Sequence, residues 1–322
     1  MKLTRFAKYA WFVLVFNLGV ILWGAYVRAT GSGAGCGSHW PLCNGEVIPR
    51  SQQIETLIEF THRATSGIAF LLVLGMLIWA WRIYPRRHRI RKAAILSMFF
   101  MITEALVGAG LVLLELVAEN ASTARAFSIS IHLVNTFLLL AFITLTAWWA
   151  SGGYPIRLRG GDANLWLLVI GLLGVIVLGM SGALTALGDT LFPVNSLEEG
   201  LRQDFSPAAH FLIRLRIFHP TIAVIVSLYI ILIISYISNK TKKAWNKIIG
   251  RMTILILLLQ LLAGLINVLL LAPIWLQLIH LLLADAIWIG IVLFSATTFG
   301  IEGDVVETED NRDVEVAYST SS

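Results

Sequence analysis

The chain has 322 residues, of which 57% are hydrophobic and only 13% are charged, and its mean hydropathy is +0.80. Soluble domains carry roughly 25% charged residues, so this composition excludes a water-soluble protein and indicates a polytopic membrane protein. The formal net charge of +5 reflects basic clusters beside apolar segments. No basic stretch is interleaved with aromatic residues in the way that nucleic-acid binding requires.

Eight apolar segments are long enough to cross a bilayer, which takes roughly 20 helical residues. The spans are predicted, in chain order, at residues 9–28, 57–81, 93–116, 128–150, 164–187, 213–237, 252–271 and 275–298. Because their number is even, both termini are predicted to lie on the same side of the lipid bilayer.

Basic residues predict which side this is, because Lys and Arg are retained in short cytoplasmic loops. Basic clusters precede the first span and lie between the second and third and between the sixth and seventh, whereas the opposite connections are acidic. We therefore expect a multi-pass protein of the cell (plasma) membrane with both termini in the cytoplasm. The acidic stretch 299–322 is predicted to be a disordered cytoplasmic tail.

The two cysteines, Cys36 and Cys43, both lie in the first outward loop. An oxidising compartment on that side lets a disulfide persist between them. Two free thiols are the alternative.

Four histidines recur at matching positions in alternate spans. His132 and His280 each stand between Ile and Leu near the start of the fourth and eighth spans, and His62 and His219 lie at comparable depth in the second and sixth. All four are expected about 6–10 Å below the outer surface.

The third and seventh spans also correspond, because Glu104 and Gly108 match Gln260 and Gly264 in spacing. These patterns predict an all-α integral membrane protein whose eight transmembrane helices form two tandem four-helix bundles. The bundles are expected to be related by a pseudo-two-fold axis along the membrane normal. The predicted halves are residues 1–150 and 151–298.

The histidines predict haem binding, because an imidazole is costly in hydrocarbon without a partner. Inward histidines from two facing helices of a four-helix unit can hold one iron macrocycle between them. The alternative is that each histidine hydrogen-bonds a neighbour or reaches the interface. Zinc is disfavoured, because the histidines lack close ligand spacing. The other three histidines, His39, His88 and His210, are interpreted as surface residues.

An acid makes the two predicted pockets unequal. Glu59 lies three residues before His62, so both side chains share one helix face, whereas Arg216 holds the matching position before His219. The pocket with a carboxylate beside its ligand is the better candidate for catalysis. The alternative makes Glu59 an interfacial carboxylate paired with Arg63.

Other polar and small residues have weaker interpretations. Outer arginines are placed either to pair with haem propionates or simply to be solvated; they are Arg63, Arg125, Arg202, Arg214 and Arg216. Two intramembrane acids, Glu104 and Asp285, indicate proton movement, although a hydrogen bond between helices explains Glu104 equally well. Six glycines are predicted to lie at helix contacts: Gly108, Gly110, Gly171, Gly174, Gly179 and Gly264.

Several of these stretches together resemble one enzyme family. They are TGSGAGCGSHWPLCNG at 30–45, IEFTHR at 58–63, HLVNT at 132–136, His219-Pro220 and Ile279-His280. The chain resembles, over roughly residues 9–298, haem A synthases of the bacterial type that carry paired cysteines in an outer loop.

The resemblance implies an enzyme that converts haem O to haem A by two successive hydroxylations of the C8 methyl group to a formyl group. It implies that His62 and His132 are axial ligands of the substrate haem O and that His219 and His280 hold a haem b cofactor. Glu59 would be the catalytic acid, and Cys36 and Cys43 would form a disulfide. Haem O synthase is an expected partner, and the electron acceptor is unidentified.

Two other functions compete with this one. The histidines alone also fit a non-enzymatic two-haem b-type cytochrome that transfers electrons. Internal repeats with intramembrane acids also fit a transporter.

Overall fold

The structure is a computed structural model that describes residues 3–51, 53–157 and 162–301. Over these residues the secondary structure is helical, apart from isolated β-bridges of Cys43 with Glu46 and of Ile156 with Gly300. Eight helical segments in this part of the chain are long and apolar enough to span a membrane. The predicted class of all-α membrane protein is therefore confirmed. Most of the predicted tail, residues 302–322, lies outside the described residues.

The helices are α1 (Arg5–Ala29), α2 (Ile54–Ile83), α3 (Arg89–Leu113), α4 (Thr123–Ala150), α5 (Ala163–Leu191), α6 (Leu197–Asp204), α7 (Phe211–Arg216), α8 (Phe218–Lys240), α9 (Ala244–Leu269) and α10 (Ile274–Phe299). A 3₁₀ turn, Ser32–Ala34, follows α1. Most spans extend beyond the predicted apolar segments, because helical hydrogen bonding continues into polar flanks at the membrane interface. At 1.5 Å per residue, the 30 residues of α2 reach roughly 45 Å, more than the hydrocarbon core requires.

Two histidines that were interpreted as surface residues instead cap helices. Nδ1 of His88 accepts a hydrogen bond from Ile90 N at 3.3 Å at the start of α3, and Nδ1 of His210 accepts one from Leu212 N at 3.4 Å at the start of α7. Both rings are half-buried, and His88 stacks on Tyr84 with ring centroids 4.6 Å apart. His39 is exposed, as expected.

The predicted sixth span is interrupted near its outer end. It consists of α7 and α8, which meet at Ile217. Pro220 explains the break, because proline lacks an N–H and its ring clashes with the carbonyl four residues earlier, here that of Arg216. The loop before it contains a short helix, α6, that hydropathy alone did not predict.

The spanning helices pack as two sets of neighbours. In the first set α1 contacts α2 and α4, and α3 contacts α2 and α4; in the second α5 contacts α8 and α10, and α9 contacts α8 and α10. The sets meet where α4 packs on α5 and α10, and where α1 packs on the same two helices. The pseudo-two-fold relation between the halves stays a prediction.

Candidate functional site

Two histidines face each other inside the second set. The ring centroids of His219 on α8 and His280 on α10 lie 6.5 Å apart, with ring planes inclined by 82°. Metal–imidazole bonds are about 2 Å long, so two imidazoles on opposite sides of one metal have centroids roughly 6 Å apart. The pair therefore has the spacing that a metal held between two imidazoles requires.

Neighbouring helices orient these two rings. The Ser181 hydroxyl lies 2.9 Å from Nδ1 of His219, which leaves the opposite nitrogen of that ring for a ligand. A polar contact at Nδ1 is the usual way in which proteins fix a ligating imidazole. Gln260 Nε2 lies 3.2 Å from Nε2 of His280, while Nδ1 of His280 is buried with no hydrogen-bond partner among the described residues.

The first set holds a second pair of imidazoles, His62 on α2 and His132 on α4. Both rings are half-buried. Nδ1 of His132 stands 3.5 Å from Glu104 Oε1 but forms no hydrogen bond with a described residue. Nδ1 of His62 is buried and, within the described part of the chain, has no polar partner.

Glycines on adjacent helices make room for three of the four rings. A Cβ atom added to Gly24 would lie 2.8 Å from Cε1 of His62, and one added to Gly182 or Gly264 would lie 3.0 Å from Cε1 of His219 or His280 respectively. These half-buried imidazoles are thus given space but few protein partners, and buried ring nitrogens without a hydrogen bond, such as Nδ1 of His62 and of His280, are costly. This donor set fits a bis-imidazole haem.

The predicted glycine contacts are correct in part. Side chains of neighbouring helices lie against Gly171, Gly174 and Gly179. At Gly108 and Gly110 no atom of the described residues lies within 4 Å of an added Cβ, so the predicted packing role there is wrong. Gly264 lies against the ring of His280, and not against the apolar side chains of a neighbouring helix. Sequence reasoning missed Gly24 and Gly182, although both lie at the depth of the histidine on the next spanning helix.

The intramembrane acid Glu104 forms hydrogen bonds between helices. It accepts one from Asn135 Nδ2 and one from Thr136 Oγ1, each at 2.5 Å. The alternative explanation of this acid as a contact between helices is thereby confirmed. Gln260, at the matching position of the second set, also lies near a histidine, with its Nε2 3.2 Å from Nε2 of His280.

Asp285 has a different environment. The residue is 1% exposed, and neither carboxylate oxygen has a hydrogen-bond partner among the described residues. An ionised carboxyl group within the membrane costs free energy when it has no hydrogen-bond partner. The role of Asp285 in proton movement stays a prediction.

Glu59 is buried, with 3% of its surface exposed, and is held from two sides. Its Oε2 accepts a hydrogen bond from Cys36 N at 2.8 Å. Its Oε1 accepts from Arg63 Nη2 at 2.5 Å and from Nε at 3.1 Å. The ion pair with Arg63, considered above as the alternative to catalysis, is therefore present.

The outer loop is folded onto the start of α2. Cys36 and Cys43 form a disulfide, so the free-thiol alternative is wrong. Arg63 Nη1 donates to the carbonyls of His39 at 2.6 Å and Leu42 at 2.7 Å. This loop therefore lies over Glu59, one helical turn from His62.

Other outer arginines also hold protein groups. Arg125, which is 3% exposed, donates to the carbonyls of Ala118 and Asn120. Arg216 bridges two acids, with Nη1 3.0 Å from Asp189 and Nη2 2.5 Å from Asp204. These side chains stabilise the outer loops and the bundle end, a role that the sequence did not distinguish from propionate binding or solvation.

Sequence reasoning missed Arg28, near the outer end of α1. Its Nη1 donates to Ala186 O at 2.5 Å and to Thr190 Oγ1 at 2.8 Å on α5. Its Nη2 donates to Gln277 Oε1 on α10 at 3.1 Å. Arg28 thus links the two sets of helices near their outer ends. Its position in the last turn of α1 did not predict these partners, because they lie on helices far away in the sequence.

The chain is similar to known proteins over most of its length. The model of the family described as "Cytochrome oxidase assembly protein" (COX15-CtaA) matches residues 7–292. A protein of Thermus thermophilus named protoheme IX farnesyltransferase is 56% identical over 274 residues, which are 85% of this chain and 45% of that relative. Heme A synthases of Bacillus mycoides and of Bacillus cereus are 44% identical over 113 residues, 34% of this chain and 36% of each relative. The chain therefore spans less than half the length of these curated relatives.

Proposed function

Because this chain belongs to the COX15-CtaA family of cytochrome oxidase assembly proteins, we propose that it acts in haem A biosynthesis and converts haem O to haem A. The relatives from Bacillus carry the name heme A synthase. The observation that carries the proposal is the asymmetry of the two imidazole pairs, since among the described residues only His62 has a buried carboxylate within one turn on its own helix, Glu59.

In this proposal His62 and His132 hold the substrate haem O in the half formed by residues 1–150. His219 and His280 hold a haem b in the half formed by residues 151–298. A haem b at this position supplies one-electron redox chemistry. Ser181 orients His219 for that ligand through Nδ1.

Glu59 is the residue that we assign to the chemical step. Oxidation of a methyl group conjugated to a porphyrin leaves positive charge and releases protons, and a nearby carboxylate stabilises the charge and accepts a proton. Arg63 and Cys36 N hold the carboxylate in one place. To accept a proton, Glu59 must loosen the ion pair with Arg63, so the position of the outer loop is coupled to the step.

The product requires two successive hydroxylations of the C8 methyl group, to an alcohol and then to a gem-diol that loses water to give the formyl group, with two electrons passing to an acceptor in each hydroxylation. Haem O synthase is the expected supplier of substrate, and the much longer relative named protoheme IX farnesyltransferase is consistent with that partnership. The proposed location is the plasma membrane, with both termini cytoplasmic, and the electron acceptor remains to be identified.

The test is haem extraction from cells that produce this chain together with haem O synthase. Chromatography should show haem A for the wild type. Glu59→Gln should retain bound haem O and lower haem A formation by roughly 100-fold or more, the usual contribution of a proton-transfer group. The control is Glu46→Gln, which removes an exposed ion pair with Arg50 and should leave haem A formation unchanged. Undiminished haem A from Glu59→Gln would exclude the catalytic assignment.

One observation favours a second candidate, a two-haem b-type cytochrome without catalysis. The Glu59 carboxylate already forms an ion pair and a backbone hydrogen bond, which is sufficient for a structural residue. If this candidate is correct, the purified protein should show haem absorbance but no haem A, even when haem O is supplied. If the protein is a transporter, it should show no haem absorbance.

A further inference from the structure

A cavity of about 280 Å³ opens between α8 and α9 at the bundle end where α8 ends and α9 begins. Polar residues line most of it, namely Ser235, Ser238, Asn239, Lys247 and Arg251, and isoleucines 234 and 254 complete the lining. Among the described residues, no carboxylate lines this cavity. It lies at the opposite end of α8 from His219, so it is separate from the candidate haem sites.

The two cations in this cavity are free to take a ligand. Lys247 and Arg251 are four residues apart on α9 and therefore share one helix face. In the described part of the chain, neither side chain forms an ion pair or a hydrogen bond. Nearby Lys240, by contrast, lies on the Tyr236 ring and donates to its hydroxyl at 2.5 Å. Two unpaired cations beside two hydroxyls form a donor set suited to an oxyanion.

Close helix packing gives the cavity a fixed wall. A Cβ atom added to Gly250 would lie 2.9 Å from Cγ2 of Ile234 and 2.9 Å from the hydroxyl oxygen of Ser238. The backbones of α8 and α9 thus approach each other at Gly250. Ile234 and Ser238 are packed against Gly250 at this point.

The first set of helices lacks a matching group of serines and a pair of cations at the corresponding position. Alignment of α2 with α8 on His62 and His219 pairs Trp81 with Ser238 and Ile78 with Ser235. Alignment of α3 with α9 on Glu104 and Gln260 pairs Arg91 with Lys247 and Ile95 with Arg251.

In the first set an aromatic ring occupies the place of the serine. The Arg91 guanidinium carbon lies 5.0 Å from the centroid of the Trp81 ring, a cation–π contact. In the second set, serine replaces that ring and a second cation replaces an isoleucine. The second set therefore differs from the first in two substitutions, Ser238 for Trp81 and Arg251 for Ile95, and both favour the binding of an anion.

Two exposed aromatic residues place the cavity at the membrane surface. Tyr236 is 46% exposed and Trp245 is 57% exposed, and both stand within one or two turns of the cavity. Such residues concentrate at the level of lipid headgroups, where basic pockets between transmembrane helices bind anionic headgroups. We propose that this cavity binds the phosphate group of an anionic lipid headgroup.

The test measures binding of phosphatidylglycerol to the purified full chain in phosphatidylcholine nanodiscs, by titration with fluorescent lipid. The wild type should bind saturably. Each missing cation should weaken binding by about 5-fold, so Lys247→Gln with Arg251→Gln should weaken it by about 25-fold. The matched control is Arg86→Gln with Arg87→Gln, which removes two exposed cations at the same bundle end that do not line the cavity. The control should change affinity less than 2-fold, as expected for screened surface charges.

A third variant, Ser238→Trp, fills the cavity with the residue that the first set carries and keeps both cations. It should abolish saturable binding while far-ultraviolet circular dichroism stays unchanged. Equal weakening in the cavity double variant and in the control would mean a diffuse attraction to the basic end and would overturn the proposal.

Inorganic phosphate is the other source of the same chemistry, so it is titrated in parallel. It should compete only at concentrations far above those of the lipid. Phosphate that binds the wild type as tightly as the lipid, and is lost in the cavity variants, would overturn the assignment to lipid.

Discussion

The four histidines illustrate how much a single residue depends on a neighbour from another helix. His62, His219 and His280 each lie against a glycine of an adjacent helix, and Nδ1 of His132 approaches an acid. The depth of each ring follows from its position in the sequence. The partner that orients it does not, because that partner is distant in sequence.

A substitution at Gly24 tests whether the glycine that lies against the His62 ring is needed for haem binding. Gly24→Ala would place a methyl group 2.8 Å from Cε1 of His62, and such overpacking costs about 1–3 kcal/mol. We expect a lower thermal midpoint and less haem bound in the first set, measured as haem absorbance per protein. Gly19→Ala on the same helix is the control, because no atom in the described part of the chain lies within 4 Å of its added Cβ, and it should match the wild type. Normal haem content in Gly24→Ala would mean that the ring can shift without loss.

At the scale of elements, the outer loop and α2 behave as one unit. The disulfide closes a short loop with a sequence separation of 7. Glu59, Arg63 and Thr56 of α2 hold its backbone as well, the last by donating to Gly35 O at 2.8 Å. Two kinds of restraint therefore act on the same segment.

The two restraints should differ in effect. Loss of the disulfide in Cys43→Ser removes about 2–3 kcal/mol of loop-closure stabilisation, but the hydrogen bonds to α2 remain. Arg63→Gln leaves the Glu59 charge buried without its partner, which costs about 3–5 kcal/mol. Hydrogen exchange should therefore speed up in residues 32–51 for both variants and more for Arg63→Gln. Faster exchange after loss of the disulfide than after loss of Arg63 would contradict this order.

Hydropathy predicted eight spans, and eight helical segments long enough to span the bilayer occur in the described residues. It missed α6 and the break at Ile217. The first is a short polar helix that carries no hydropathy signal. The second arises from Pro220, whose effect on the preceding turn is local and was available from the sequence.

The whole molecule is held together where the two sets of helices meet. The Trp288 indole donates to Phe137 O at 2.6 Å, and the two rings stack with centroids 4.8 Å apart. Arg28 joins α1 to α5 and α10 at the outer end. The relative position of the two candidate haem sites depends on these contacts.

Arg28→Ala tests this link. The substitution removes three hydrogen bonds from a charged donor and leaves Gln277 and Thr190 without that partner, so we expect a loss of at least about 2 kcal/mol. Thermal unfolding in detergent should show a lower midpoint. Arg214→Ala is the control, because Arg214 is exposed at the same end and should unfold like the wild type. Equal midpoints for both variants would show that apolar packing alone joins the sets.

The sequence by itself determined the membrane class, the eight spans and the positions of the histidines and of the two cysteines. These depend on hydropathy and on residue order along one helix, which are local properties. Only the tertiary structure decided that His219 faces His280, that Cys36 N donates to Glu59, and that glycines lie against the imidazoles. The physical reason is that such contacts depend on how each helix is rotated about its axis against its neighbours. That rotation is set by packing between segments far apart in the chain.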